Sequence, residues 1–176
     1  MTPAAELIAL LDSYFEAMAR PVEEKGGEVL KFIGDGVLAI FRTDHEGEGP
    51  AVARALDAAI AALANLRTLN QAREAAGLTP LVTKIALHVG EMMYGNVGAA
   101  DRLDFTVIGP AVNTVARVQA LCGELAEPVF ATRDFARLAP TQMVSRGWHR
   151  LRGLSDATEL FALGELASEG EVQVRS

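Results

Sequence analysis

The chain lacks several things that would each point to a function class. It has a single cysteine, Cys122, so an internal disulfide framework is excluded and a reducing compartment such as the cytoplasm is expected. It has no excess of positive charge. The net charge of −7 argues against a generic nucleic-acid or acidic-membrane binder, though a nucleotide needs only a few local cations. No basic, signal-like start and no apolar run of membrane-spanning length is present, so a soluble piece without membrane contact is expected. There is no repeat, no low-complexity linker and no sign of a second domain. What remains is 176 residues, half of them hydrophobic and 22% charged, enough for one folded domain with a full core. Residues 1–164 are expected to form that domain, with 165–176 a polar, frayed tail.

Hydrophobic period divides the chain into elements. Leu7, Leu10, Leu11, Tyr14, Phe15 and Met18 recur at spacings of three and four and predict a helix over 3–20. Pro21 is expected to end it, with at most one further turn over Val22-Glu23-Glu24. Residues 42–49 read as an exposed loop in which His45 is solvated. An Ala-rich helix is expected over 50–76, buried along Val52, Leu56, Ile60, Leu63 and Leu66. Its charges, Arg54, Asp57, Arg67 and Arg73, read as a solvated face. Residues 81–89 predict a strand, with His88 packed in it rather than ligating a metal. Residues 90–98 extend that strand into a glycine-punctuated loop. A strand over 103–108, a helix over 111–121, strands over 128–132, 143–151 and 158–163, and a short helix over 133–138 complete an α+β pattern. Trp148 and Phe161 read as core or edge packing.

Two stretches stand out chemically. The first is KGGEVLKFIGDGVLAIF, residues 25–41: two apolar runs around Gly34-Asp35-Gly36, a hairpin expected to be buried on both faces. Lys31 interrupts the first run, and an unpaired buried ammonium is costly, so it needs water, a partner or a ligand. Asp35 is either a simple turn residue or a functional one. The second stretch opens the helix after Gly109-Pro110. Asn113 and Arg117 lie four apart and share a face, opposite Val112, Val115 and Val118. Such a pair suits an anion or a sugar, or is an ordinary surface pair.

GGEVLKFIGDGVLAIF (26–41), LHVGEMMYGNVGAADRLDFTVIGPAVNTVARVQAL (87–121) and the Leu-Arg-Gly turn at 151–153 occur in an order that resembles the class III nucleotidyl cyclase catalytic domain, across nearly the whole chain. The resemblance implies a ferredoxin-like α+β fold with a mostly antiparallel sheet and a head-to-tail homodimer with sites across its interface. It implies conversion of ATP or GTP to the cyclic nucleotide and pyrophosphate, with two divalent ions, Mg²⁺ or Mn²⁺. By position, Asp35 matches one of two metal aspartates and Lys31 with Thr106 the base-reading pair. Asn113 matches the ribose-orienting residue and Arg117 the transition-state phosphate contact. Arg152 is a further candidate cation for the phosphates. The Thr106 position and the absence of the Glu and Cys of guanine readers imply ATP over GTP, as in a bacterial subgroup of mostly adenylate cyclases. Gly26-Gly27-Glu28 is not the diguanylate cyclase signature, because here the glycines precede the hairpin instead of turning it.

The chain departs from the family at its start. A central strand of the type Phe-x-Asp-x-x-Gly-Phe-Thr, which carries the other metal aspartate, has no counterpart, and neither Asp12 nor Glu16 replaces it by position. A start site placed too late or a truncated piece is the expectation, with little or no cyclase activity. The sheet is expected to be repaired by direct pairing of the flanking strands, by domain swapping or by an abnormal dimer. The alternative function is a catalytically dead nucleotide-binding or dimerising regulatory module.

Overall fold

The computed structural model describes residues 4–99, 102–122, 127–139, 143–151 and 156–164. Helix α1 spans Ala4–Glu24, with Val22-Glu23-Glu24 forming the one further turn allowed beyond Pro21. The reason lies in its neighbour. Proline has no N–H for the carbonyl four residues back, that of Ala17. The Asn65 side-chain amide donates to that carbonyl from the next helix, at 3.5 Å. Pro21 is itself buried, so packing and this replacement bond hold the turn.

Helix α2, Glu48–Ala75, lies along α1. Its buried face carries five alanines, Ala51, Ala55, Ala58, Ala59 and Ala62, beside Val52, Leu56, Leu63 and Leu66. Such small side chains let a second helix come close. Ile60 is only half-buried, and Arg54 is not simply solvated as expected, for its Nε is buried. The helix stops in a Schellman turn: Gly77 at φ +71° bonds Glu74, and the Leu78 N–H reaches back to the Arg73 carbonyl. Asn70 then clamps the departing chain through both the N–H and the carbonyl of Leu81.

Strands β1 (Glu28–Ile33) and β2 (Gly36–Ile40) form an antiparallel hairpin whose two loop residues are Gly34 and Asp35. It is not buried on both faces as expected: Phe32 is 52% and Ile33 58% exposed. The end of β1 meets α1 only through a tilted contact of Phe15 with Phe32, 4.6 Å between ring centroids, which leaves side chains on both faces more than half exposed.

Strand β3 is confined to Ile85–Leu87, shorter than the run over 81–89. Residues 93–99 are not a loop. They form β4 (Met93–Ala99), which pairs antiparallel with β5 (Arg102–Ile108) in full register. Helix α3 (Pro110–Cys122) follows, then β6 (Val129–Thr132), the one-turn helix α4 (Arg133–Ala136), β7 (Met143–Arg150) and β8 (Ala157–Leu163). The result is an α+β fold. Its main sheet runs β3-β6-β8-β7, parallel between β3 and β6 and antiparallel elsewhere.

Strand β6, VFAT, is buried at all four residues because both faces of the sheet are covered. Phe130, Leu160 and Ala162 face Val118 and Cys122 of α3. Ala131 points the other way, into Val52, Ala55 and Leu56 of α2, Phe135 of α4 and Met143. The period of two thus divides one strand between two cores. A third cluster, Ala17, Met18, Ala62 and Leu66, joins α1 to α2 and takes Val37 from β2 and Ile85 from β3.

Direct pairing of the strands flanking the missing one, one of the repairs expected, does not occur. Among the described strands β2 bonds only β1, and β3 bonds only β6. Trp148 is no core residue. It is 60% exposed on the edge strand β7, with the Arg133 guanidinium 5.5 Å from its ring.

Candidate functional site

The residues singled out for chemistry sit on three elements. The hairpin β1–β2 carries Lys31, half-buried opposite Leu38, and Asp35, exposed in the two-residue loop. Gly34 supplies the left-handed conformation that loop needs, at φ +61°. The hairpin β4–β5 carries Thr106, opposite Gly95 in the ladder. Helix α3 carries Asn113, exposed, and Arg117, half-buried, one turn apart. Its other face is anchored in the core by Val118 and Cys122. Arg152 lies outside the described residues.

Among the described residues, the side chains of Lys31, Asp35, Asn113 and Arg117 make no hydrogen bond or ion pair with protein, unlike the charges of α1 and of the loop after β2. There Arg20 pairs with Glu16 and Glu24, Arg42 with Asp44, and Arg54 with Glu46. Asp44 is held below the usual carboxylate range by its hydrogen bond from Arg42, an ordinary exposed pair. Among the described residues these four polar side chains therefore differ from the paired surface charges.

The start of α3 is positioned by two glycines that the sequence marks only as turns. A Cβ on Gly109, at φ +146°, would lie 2.9 Å from the Glu91 carbonyl oxygen and the Met92 Cα. A Cβ on Gly90 would lie 2.8 Å from His88 Nε2 and 3.1 Å from the Ala111 Cβ. The segment after β3 and the first turn of α3 are therefore in backbone contact, one turn ahead of Asn113. The Gly-Pro dipeptide signals the turn, but only the packing shows the contact. His88 is held from its other side by a 2.8 Å hydrogen bond between Nδ1 and the Thr132 hydroxyl, and burial lowers its pKa against the opposing charge of Asp134. This agrees with a packing role.

The fit to a pair of divalent ions fails. Such ions take several oxygen ligands each. Among the described residues no three His, Cys, Asp or Glu side chains converge, and Asp35 stands alone at its loop. A cavity of about 490 Å³ lies at the other end of the hairpin, between Gly26-Gly27, Arg42 and Arg54, and contains none of the candidate residues. Its arginines are already paired, so it is a structural junction.

No helix among the described residues is long and apolar enough to cross a membrane. Residues 1–156 match the adenylate and guanylate cyclase catalytic domain. An adenylate cyclase of Anabaena cylindrica is 32% identical over 136 residues, 75% of this chain and 26% of that protein. The chain spans about a quarter of the length of the curated relatives it matches. Among solved structures, the adenylyl cyclase CyaB of P. aeruginosa superimposes with a TM-score of 0.81 at 24% identity, over 93% of this chain and 85% of that one. The guanylyl cyclase Cya2 does so at 0.73 and 23%, over 95% and 86%. The order of the elements, the motif residues on β1, β5 and α3, and a family match over most of the length agree, and the chain belongs to the adenylate and guanylate cyclase catalytic domain family.

Proposed function

We propose that residues 1–164 form an adenylate cyclase catalytic domain that binds ATP and works as a homodimer, with sites shared between two copies. In the family reaction the ribose 3′-hydroxyl attacks the α-phosphorus. A P–O bond forms to O3′, the bond to the β-phosphate oxygen breaks, pyrophosphate leaves and the hydroxyl proton is released. The observation that carries the reading is the set Lys31, Thr106, Asn113 and Arg117 at the family's motif positions on β1, β5 and α3. Lys31 donates to a ring nitrogen and the Thr106 hydroxyl accepts from the adenine amino group, a pairing that favours ATP over GTP. Asn113 orients the ribose, while Arg117, with Arg152, holds the phosphates as charge develops on them.

The family's two-ion chemistry, with Mg²⁺ or Mn²⁺, needs a second carboxylate besides Asp35. The described residues do not supply it. The solitary Asp35 favours a second reading, a nucleotide-binding regulatory module without turnover.

One assay separates the two: cyclic AMP formation from ATP with Mn²⁺, on this chain and on a version carrying the family's Asp-bearing strand ahead of residue 1. Turnover by the longer version alone, abolished by Asp35→Ala, establishes the cyclase reading. ATP binding without turnover by either establishes the regulatory one. Turnover by the shorter chain would show that the second carboxylate is not needed from outside it.

A further inference from the structure

His88 has no part in the proposed function, yet its ring joins three segments of the chain. At one end Nδ1 shares a 2.8 Å hydrogen bond with the hydroxyl of Thr132, the last residue of β6. Thr132 is 2% exposed and stands at the N-cap of α4, but its side chain makes no capping bond there. A threonine at that position ordinarily gives its oxygen to the helix. Here the hydroxyl bonds the imidazole instead. At the other end Nε2 lies over Gly90. A Cβ on Gly90 would sit 2.8 Å from Nε2 and 3.1 Å from the Cβ of Ala111, in the first turn of α3. Gly90 is not among the glycines with positive φ, so room rather than backbone conformation demands a glycine there. The imidazole and the Ala111 methyl take the space that a side chain at 90 would need.

Helix α3 depends on that contact for its direction. Its buried residues, Val118 and Cys122, both belong to its second half. The first half, with Asn113 and Arg117, meets the rest of the chain at its start, where Gly109 lies against Glu91 and Met92 and Ala111 against Gly90. The His88 ring is the side chain at that junction that is tied to the main sheet, through Thr132.

We propose that His88 is a positioning residue for the nucleotide. It holds the first turn of α3 against the main sheet, so that Asn113 meets the ribose and Arg117 the phosphates. This rests on the roles assigned to those two residues under the proposed function. His88 itself touches no nucleotide. It acts by length: its ring spans from the Thr132 hydroxyl to the gap over Gly90, and small displacements of binding groups are costly. An asparagine amide replaces Nδ1 but does not reach the position of Nε2, whereas a glutamine amide does.

The test is ATP affinity by calorimetry at a temperature where every variant is fully folded by circular dichroism. His88→Asn should weaken binding by about fivefold or more, and that loss should disappear in a chain already carrying Asn113→Ala and Arg117→Ala. His88→Gln should restore affinity to within about twofold of the parent chain, the coupling to α3 being regained. Without ligand, hydrogen exchange of the amides of 113–116 in His88→Asn should be about tenfold faster, with 118–122 unchanged. Thr132→Val cuts the same link from its other end and should give the same exchange pattern, so it serves if His88→Asn does not fold. Parent affinity in His88→Asn, a loss that persists in the doubly substituted background, or faster exchange spread evenly along α3 overturns the proposal. If Arg117→Ala and Asn113→Ala each leave ATP affinity unchanged, the proposed function fails and this inference with it. A loss in those variants with none in His88→Asn overturns the positioning role alone.

Discussion

Cys122 combines burial with a hydrogen bond: its thiol is 1% exposed and points to the Val118 carbonyl, and desolvation pushes its pKa up to about 11. Intact protein at pH 7.5 should therefore resist iodoacetamide and gain one adduct only after unfolding, which a mass spectrum will show. His88 behaves oppositely. Burial lowers its folded pKa below the ordinary 6.5, so the unfolded chain takes up the proton first. Its contribution to stability is complete above about pH 6.5 and is lost as pH falls from there toward the folded pKa. His88→Gln should flatten the fall in urea midpoint between pH 7.5 and pH 5. Gly109→Ala puts a Cβ 2.9 Å from backbone atoms at a φ that only glycine tolerates. A loss of about 1–3 kcal/mol is expected in urea unfolding. A glycine in a sequence says that a turn is near. That this one touches Glu91 and Met92 depends on residues seventeen and eighteen positions away.

Elements with a strong period were legible, and those without one were not. The stripe of α2 emerged from Val52, Leu56, Leu63 and Leu66, all buried. What the alanines beside them touch was not legible: Ala62 packs on α1, and Ala55 on Ala131 of the main sheet. β4 was hidden because Gly95 and Gly98 break its pattern, and only the ladder to β5, from Met93 opposite Ile108 to Ala99 opposite Arg102, makes it a strand. β6 was legible as VFAT, but its two cores were not. Phe130→Ala removes a side chain with no exposure and should cost about 3–5 kcal/mol in chemical denaturation. Local chemistry at Pro21 left α1 at most one further turn. That turn forms, with Asn65, forty-eight residues from Ala17, bonding the carbonyl the proline cannot.

For the molecule as a whole, the proposed binding residues lie on separate elements, so each is testable by itself. Arg117 lies on α3, anchored in the core by Val118 and Cys122, and among the described residues its charge has no hydrogen-bond or ion-pair partner. Arg117→Ala should leave the melting temperature nearly unchanged. It should weaken ATP binding by about tenfold or more in calorimetry, the worth of a charge-assisted hydrogen bond. That loss is expected whether or not the chain turns ATP over, and an unchanged affinity would remove Arg117 from the site.

Residue types, spacing and motif order were enough to reach the family and the α+β class, because apolar period and the chemistry of single side chains are local properties. They also named the residues that stand on β1, β5 and α3. Pairing was not local. Which strands share a sheet, which edges stay open, which glycine touches which backbone and which amide caps a proline's orphaned carbonyl all depend on residues brought together from far along the chain. Strands β2 and β3 are such a case: the sequence marks both as ordinary apolar strands, and only the tertiary structure shows that both pack on the cluster joining α1 to α2 while, among the described strands, β2 bonds β1 and β3 bonds β6.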